Sequence, residues 1–477
     1  MTQQIRKILS DSPAARWTAM FIVAFTMMMG YYITDVMSPL EDMLETPVAA
    51  GGLGMGWTSQ EYGFFSGSYG FINVYLLMLF LGGLILDRMG VRFTGVLACG
   101  LMVIGVFLKY YALQFVSPEP MTYVYIPFLG LPGVDVKNQV LLAALGFSIF
   151  GVGCELCGIT VTKVIAKWFT GHGMALAMGI QVAMARLGTA AALGYSPILA
   201  DSAHRVSAPI LLGGVCLCIG LLAYLVYCVM DKKLDNSMAQ LDVETDTVAE
   251  EEEKFHLSDL KAIFGNAGFW LITLLCLLFY SGVFPFLKFA TKLMIAKYGV
   301  DPVFAGNIPA MVPFGTIILT PLFGIIYDRI GKGATLMILG SLLLTLVHVF
   351  FALPVLNTPA FAIVLMLLLG IAFSLVPSAM WPSVPKIIPM KQLGSAYAII
   401  FYIQNIGLSM VPILIGNVLQ ANTVMAGSVK VIDFSTAMWI FAAFGMAAVL
   451  IACILRLADS RKHYGLEEAN TKKDRRL

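Results

Sequence analysis

The chain has 477 residues, 59% of them hydrophobic and only 12% charged, with a net charge of +2. Soluble globular chains carry about 25% charged residues, so a surface built to face water is excluded. Apolar runs of about 20 residues, enough to cross a ~30 Å hydrocarbon core, recur along the whole length, and no stretch reads as a nucleic-acid surface.

The first 16 residues are polar and basic. They lack the short apolar core and small-residue cleavage site of a signal peptide, so the first apolar helix is expected to stay in the protein. Taken in chain order, runs and breakers predict spans over 17–38, 62–86, 93–115, 139–166, 174–200 and 207–230. A second set follows over 267–297, 302–328, 333–356, 360–388, 392–422 and 433–457. Pro285, Pro313, Pro377, Pro382 and Pro412 fall inside the second set, where each removes a backbone hydrogen bond and bends its helix. At membrane depth such breaks are tolerated where they line a cavity.

The stretch 231–262 is polar and acidic, with Asp235, Asp242, Glu244, Asp246 and the run Glu250 to Glu253. It reads as a disordered or weakly helical linker. The expected organisation is a tail (1–16), a six-helix bundle (17–230), the linker, a second six-helix bundle (263–458) and a basic tail (459–477). Lys and Arg are absent from the loops after spans one and nine. They gather at 87–92, in the linker and in the tail (Arg461, Lys462, Lys472, Lys473, Arg475, Arg476), which predicts both termini on the cytoplasmic side.

The two sets share a pattern after their second spans. Gly83, Asp87, Arg88, Gly90 and Arg92 stand in one, and Gly324, Asp328, Arg329 and Gly331 in the other. A repeat at matching places marks an internal duplication, as in many secondary transporters. The glycine is expected to let two helices approach closely. The aspartate is expected to accept hydrogen bonds from a neighbouring helix N-terminus and to pair with a basic residue, latching one state of two rocking bundles. The alternative is a basic turn that only fixes topology.

Ionisable side chains inside spans are expensive and default to functional hypotheses. Glu155 stands 11 residues before the cytoplasmic end of span four and Arg186 12 residues after the start of span five. At 1.5 Å per residue these are depths of about 16 and 18 Å, so an acid and a base share one level near mid-bilayer. The glutamate suits an ammonium, and the guanidinium can grip a carboxylate through two parallel hydrogen bonds, a pairing that fits the two ends of a small zwitterion. The alternative is a buried salt bridge that ties two helices. Tyr69, Asn73, Tyr280, Gln404 and Asn405 fall at similar depth and Trp381 lower, either as a platform for substrate or as helix contacts. Lys288, after the Pro285 break, reads as a second carboxylate anchor or a snorkelling residue. Asp35 and Lys109 read as gating or pairing groups, His348 as a packing residue, and Lys163 as a topology residue at the cytoplasmic mouth.

All eight cysteines lie in apolar runs and read as small hydrophobes. Cys154-x-x-Cys157 lacks the second ligand pair of a metal site. No H-E-x-x-H or G-x-S-x-G motif is present, so neither an enzyme nor a cofactor is expected. A non-transporting sensor on the same framework stays open.

The duplicated G-x-x-x-D-R-x-G-x-R stretch resembles the signature loop of the major facilitator superfamily. A narrower resemblance rests on Gly151-Val-Gly153-Cys-Glu155, Lys167-Trp168-Phe169, Ala183-Met184-Ala185-Arg186-Leu-Gly188, Val283-Phe284-Pro285-Phe286, Met380-Trp381-Pro382 and Gln404-Asn405-Ile-Gly407-Leu408. Together these are similar to the lysosomal dipeptide transporters of the major facilitator superfamily domain-containing group. The resemblance implies twelve transmembrane helices, uniport of dipeptides, a glycosylated accessory subunit in animals, and Glu155 and Arg186 at the peptide termini. The chain itself is expected to be a monomer in a lipid bilayer. Its N-terminal tail has no acidic dileucine signal, so a bacterial cytoplasmic membrane is the expected location, and the lysosomal membrane if the source is eukaryotic. An amino-acid or organic-anion carrier, with or without proton coupling, is the runner-up. The E-x-x-E-R cluster of proton-coupled oligopeptide transporters is missing from span one, where Asp35 stands alone.

Overall fold

A computed structural model describes residues 9–48, 53–169, 173–245, 263–389, 392–426 and 429–469. The acidic run Glu250 to Glu253, the lysines at 254 and 261, and the basic residues from Lys472 onward lie outside the described residues. Among the described residues eleven helices are long and apolar enough to cross a membrane, and the protein is a multi-pass membrane protein.

The first helix, α1 (Pro13–Asp35), passes through a 3-10 turn at Ser38–Leu40 into α2 (Glu41–Glu45). The single span expected over 62–86 is broken. It runs as α3 (Ser59–Gly67), a 3-10 turn at Ser68–Gly70, and α4 (Phe71–Tyr75), then passes through the left-handed Leu77 into α5 (Met78–Phe115). The cause is a close neighbour: Ser409 donates its hydroxyl to the Gly67 carbonyl at 2.8 Å, and a Cβ on Gly67 would collide with the Ser409 backbone. The helix Leu393–Ala421 thereby presses against the turn. Within α5 the chain reverses at Gly90, whose φ of 74° and ψ of 174° are non-helical. A glycine accepts this corner without a steric penalty, so the signature loop is a corner between two apolar arms.

A β-hairpin follows, β1 (Met121–Ile126) paired antiparallel with β2 (Leu131–Lys137). Then come α6 (Asn138–Phe169), α7 (Met174–Ser202) and α8 (Ala208–Thr245). The stretch expected to become linker at 231 instead continues α8 to Thr245. Asp231, almost fully buried, accepts from Lys167 Nζ at 2.9 Å, Tyr227 Oη at 3.1 Å, Trp168 Nε1 at 3.2 Å and Arg92 at 3.3 Å. Asp235 takes Arg92 at 2.7 Å. With its carboxylates neutralised in place, the helix has no reason to stop.

The second half comprises α9 (Ala267–Tyr298), α10 (Asn307–Ile330), α11 (Gly333–Ala352), α12 (Pro359–Ile387) and α13 (Leu393–Ala421). A short hairpin, β3 (Thr423–Ala426) with β4 (Val429–Ile432), leads to α14 (Ser435–Lys462). Side chains start several helices: Asn266 caps α9, and Thr358 caps α12 one residue before Pro359. The Glu467 carboxylate, returning from the far side of α14, takes the amide and hydroxyl of Thr335 in the first turn of α11.

Within the first half α5 packs on α6 and α1 on α7 and α8. Within the second, α11 packs on α14, and α10 and α11 on α12. The halves meet along α3 with α13 and α7 with α10. These seams are tightest at the end opposite to the signature loops, called here the far end. There a Cβ on Gly63 would lie 2.6 Å from the Pro412 carbonyl and 2.8 Å from Gly416 Cα. Charges cross the same interface. Lys292 of α9 is 2% exposed and bonds Glu41 at 3.2 Å, Ser59 at 3.1 Å and Glu45.

Candidate substrate cavity

A cavity of about 400 Å³ lies between the halves, within the range of small-molecule sites. The first half supplies Tyr31, Thr34 and Asp35 from α1, Ser66 and Tyr69 from the broken helix, Cys154 and Glu155 from α6, and Arg186 from α7. Facing them stand Tyr280, Phe284, Pro285 and Lys288 of α9, Trp381 of α12, and Phe401, Gln404 and Asn405 of α13.

Two glycines bring Glu155 into place. A Cβ on Gly153 would sit 2.6 Å from the Ala98 carbonyl, and one on Gly151 would strike the Tyr69 backbone. Helix α6 is thus wedged against α5 on one side and the broken helix on the other. The Tyr69 hydroxyl donates to Glu155 Oε1 at 2.9 Å. Arg186 takes a different setting. Its guanidinium lies 4.9 Å from the Phe373 ring centre, 5.6 Å from Phe284 and 6.0 Å from Tyr31, where ring quadrupoles attract a cation. Among the described residues no ion pair joins Arg186 to Glu155, so the tie between two helices that the sequence left open is not made.

The opposite wall is aromatic. Tyr280 and Phe284 are stacked at 5.5 Å, and Trp381 is stacked on Phe401 at 4.9 Å. Trp381 Nε1 donates to the Tyr280 hydroxyl at 3.0 Å, and the Tyr397 hydroxyl donates to the Trp381 carbonyl at 3.3 Å. Gln404 accepts from Cys276 at 3.6 Å, while Asn405 donates to the Phe401 carbonyl at 3.0 Å and keeps its buried Oδ1 without a partner. At the far end of the cavity Lys288 reaches across the halves to Asp35 Oδ1 and the Thr34 carbonyl, both at 2.6 Å.

The structure therefore gathers Glu155, Arg186, Tyr69, Tyr280, Lys288, Trp381, Gln404 and Asn405 around one space. Asn73 is not among the lining residues. It is buried on α4 with its Nδ2 unpartnered, because the break at Leu77 and the 3-10 turn rotate α4 away from the face a straight helix would present. Asp35, read from sequence as a gating or pairing group, is a lining residue. Tyr31, Thr34, Phe284 and Phe401 were not singled out. Tyr31, Thr34 and Asp35 share one face at helical spacing, as do Phe401, Gln404, Asn405 and Leu408, and that periodicity was the available signal.

The signature residues lie at the opposite end. Asp87 pairs with Lys163 at 2.9 Å, and its side chain is 70% exposed. Lys163 is thus an ion-pair partner beyond a topology residue. Arg88 and Arg329 are exposed, and Arg92 closes on Asp231 and Asp235. The close approach expected at Gly83 and Gly324 is absent, since a Cβ at either would meet nothing within 4 Å. Gly82 holds that contact instead, against Leu156 at 2.6 Å, because it faces α6 while Gly83 turns away.

Residues 20–412 match the Major Facilitator Superfamily. The lysosomal dipeptide transporter MFSD1 of Gallus gallus is 30% identical over 293 residues, which cover 59% of this chain and 63% of that protein. The Danio rerio protein of the same name is 28% identical over 363 residues, covering 74% and 71%. The matched stretch spans less than two thirds of the avian and human relatives, 63% and 61%. Among solved structures, the xylose transporter XylE from E. coli in an inward open conformation superposes with a TM-score of 0.65 at 16% identity, covering 91% of this chain and 95% of that one. A mutant of the peptide transporter POT gives 0.64 at 14%, covering 96% of both. At these identities the structures establish the fold alone. The family implied by the duplicated loops is the one returned by the match over residues 20–412. The chain belongs to the Major Facilitator Superfamily.

Proposed function

We propose that the protein carries dipeptides across its membrane by alternating access, as a uniporter, with Glu155 taking the peptide ammonium and Arg186 its carboxylate. One observation carries this reading. An acid and a base from neighbouring helices line one cavity of about 400 Å³ without pairing to each other. Each keeps capacity for a charged hydrogen bond, the stronger kind. The aromatic wall of Tyr280, Phe284, Trp381 and Phe401 offers side chains apolar area with little sequence demand, and Gln404 and Asn405 offer the peptide bond amide partners. The names of the MFSD1 relatives point to the same substrate class. An organic anion would need Lys288 beside Arg186, and Lys288 is held by Asp35 and the Thr34 carbonyl.

In this reading the conformation is sealed at the far end by Lys292, Lys288 and the Gly63–Gly416 contact, and substrate enters from the end that bears the signature loops. The chain crosses the membrane twelve times in two six-helix bundles, as a monomer. The broken α3–α4 and the first arm of α5 make the second crossing, and both termini face the cytoplasm.

The test is a thermal-shift screen of the purified protein, followed by uptake into proteoliposomes. Dipeptides should stabilise the protein while free amino acids and N-acetylated dipeptides do not. Glu155→Gln and Arg186→Ala should each abolish uptake in a folded protein. Normal uptake by both variants, or stabilisation by acetylated peptides, defeats the two-ended grip.

A further inference from the structure

His348 belongs to α11, away from the cavity, and is fully buried. Its Nε2 lies 2.9 Å from the Gly282 carbonyl of α9. A carbonyl only accepts, so Nε2 carries the proton. Nδ1 is buried without a partner, and the ring is boxed by Phe286 at 4.7 Å, Phe441 at 5.3 Å and Phe351 at 6.5 Å. Packing alone explains the box of rings. It does not explain a donor aimed at the backbone of a neighbouring helix that has its own hydrogen bonds.

The explanation lies three residues on. Pro285 has no N–H, so the Ser281 carbonyl four residues before it loses its intrahelical donor and the ring pushes against it, opening the turn beside the Gly282 carbonyl that His348 takes. The loosened turn is Ser281–Gly282, and the Ser281 hydroxyl beside it is buried without a partner. The same turn divides Tyr280 from Phe284 and Lys288, which lie at successive i+4 steps and all line the cavity. The direction in which α9 leaves the break therefore sets where the aromatic wall and the far-end lysine stand relative to Glu155 and Arg186.

We propose that His348 is a positioning residue. Its Nε2–H braces the turn loosened by Pro285 and fixes the angle at which α9 presents Tyr280, Phe284 and Lys288 to the substrate. The transport part of this proposal rests on the dipeptide reading, and the brace itself does not.

The test compares His348→Leu, which keeps bulk and removes the donor, with His348→Gln, whose amide N–H can replace Nε2–H. Spin labels at Leu274 and Ala296, both exposed on α9 on either side of the break, report the bend without substrate. The Leu variant should shift or broaden that distance and the Gln variant should keep it. In uptake, the KM for a dipeptide should rise about five-fold in the Leu variant, the loss of one ordinary hydrogen bond, and recover in the Gln variant. Equal changes in both variants, or an unchanged distance in the Leu variant, overturn the brace. A changed distance with an unchanged KM removes its role in substrate binding. A parent protein that transports no dipeptide defeats the substrate reading and leaves the distance to decide the brace. If His348→Leu alone fails to fold, it is combined with Pro285→Ala, which restores the intrahelical bond. The distance should then be indifferent to residue 348, and continued dependence on it overturns the proposal.

Discussion

Replacing Lys292 with methionine should unseal the far end. Lys292 is 2% exposed, Glu41 is fully buried and Glu45 nearly so, and the lysine comes from one half while the carboxylates come from the other. Removing one partner of a buried ionic cluster costs about 3–5 kcal/mol, because the charges left behind are uncompensated. That cost falls on the far-end-closed state alone, since water reaches the carboxylates once the halves part. At about 1.4 kcal/mol per decade the equilibrium moves toward opening by roughly a hundred- to a few-thousand-fold. A protein closed 99 times in 100 would reach parity or reverse. The Asp35–Lys288 pair stays in place and limits the response to the lower part of that range. The assay is alkylation of a cysteine at Ile413, which is 5% exposed and packs at the Gly67 turn, by a membrane-impermeant maleimide added on the far side. Its rate should rise at least ten-fold in Lys292→Met. A variant that also carries Glu41→Leu and Glu45→Leu should return toward the parent rate, because replacing a whole buried ionic cluster by apolar residues of similar volume is close to neutral. Equal rates in parent and single variant, or a triple variant as reactive as the single one, would refute the latch.

Two further outcomes follow from contacts already described. Tyr69→Phe removes the hydroxyl on Glu155 Oε1. A hydrogen bond to a charged group contributes about 1.5–3 kcal/mol, so the KM for a dipeptide should rise about ten-fold or more while the melting temperature without substrate holds. A melting temperature that falls in step with the KM would make Tyr69 a fold residue. Asp231→Asn leaves Lys167 and Arg92 with only one, Asp235, of the two carboxylates they share on α8. Asp231 is only 1% exposed, but Lys167 and Arg92 are 26% and 43% exposed and keep Asp235, so the loss should stay below the ~3–5 kcal/mol of a broken fully buried pair. It should be visible as a lower melting temperature in detergent, and an unchanged one would show that Asp235 alone holds the α8 extension.

The spans were legible because hydropathy is a property of residues taken one at a time, and a bilayer reads it that way. Glu155 and Arg186 were legible for a related reason: a charge at mid-membrane is costly wherever it points, so its presence alone argues a use. What failed were statements about direction. Asn73 was assigned to the cavity by depth along a straight helix, and the turn at Ser68–Gly70 together with Leu77 rotated it away. Gly83 was given a close contact that its neighbour Gly82 makes. Both errors concern which side of a helix a residue faces, and neither Leu77 nor Ser68 announces a break in a sequence otherwise apolar and continuous. The β1–β2 hairpin is different. Its alternation in Met121–Ile126 and the Gly130 and Gly133 turn residues carry a strand-turn-strand signal in the sequence itself. The extension of α8 was masked by composition: an acidic stretch reads as solvated until Lys167 and Arg92, which neutralise Asp231 and Asp235, are brought from other helices.

The far-end charges show how one such helix joins the cavity to its seal. Tyr280, Phe284, Lys288 and Lys292 follow one another at i+4 along α9, with Pro285 among them. The first pair forms the aromatic wall, Lys288 bonds Asp35 at the edge of the cavity, and Lys292 reaches Glu41 and Glu45 beyond it. In an alternating-access cycle a substrate that draws the aromatic pair toward Glu155 and Arg186 must tilt α9. Tilt at a proline-weakened turn carries both lysines with it, because they lie beyond the break on the same rigid segment. The ionic contacts are short and buried, so they are lost over a small displacement and not stretched gradually. Substrate occupancy and release of the far-end seal are then two readings of one helix angle. This accounts for Lys288 and Lys292 on a largely apolar helix, each matched by carboxylate from the opposite half, where packing alone would have called for leucine.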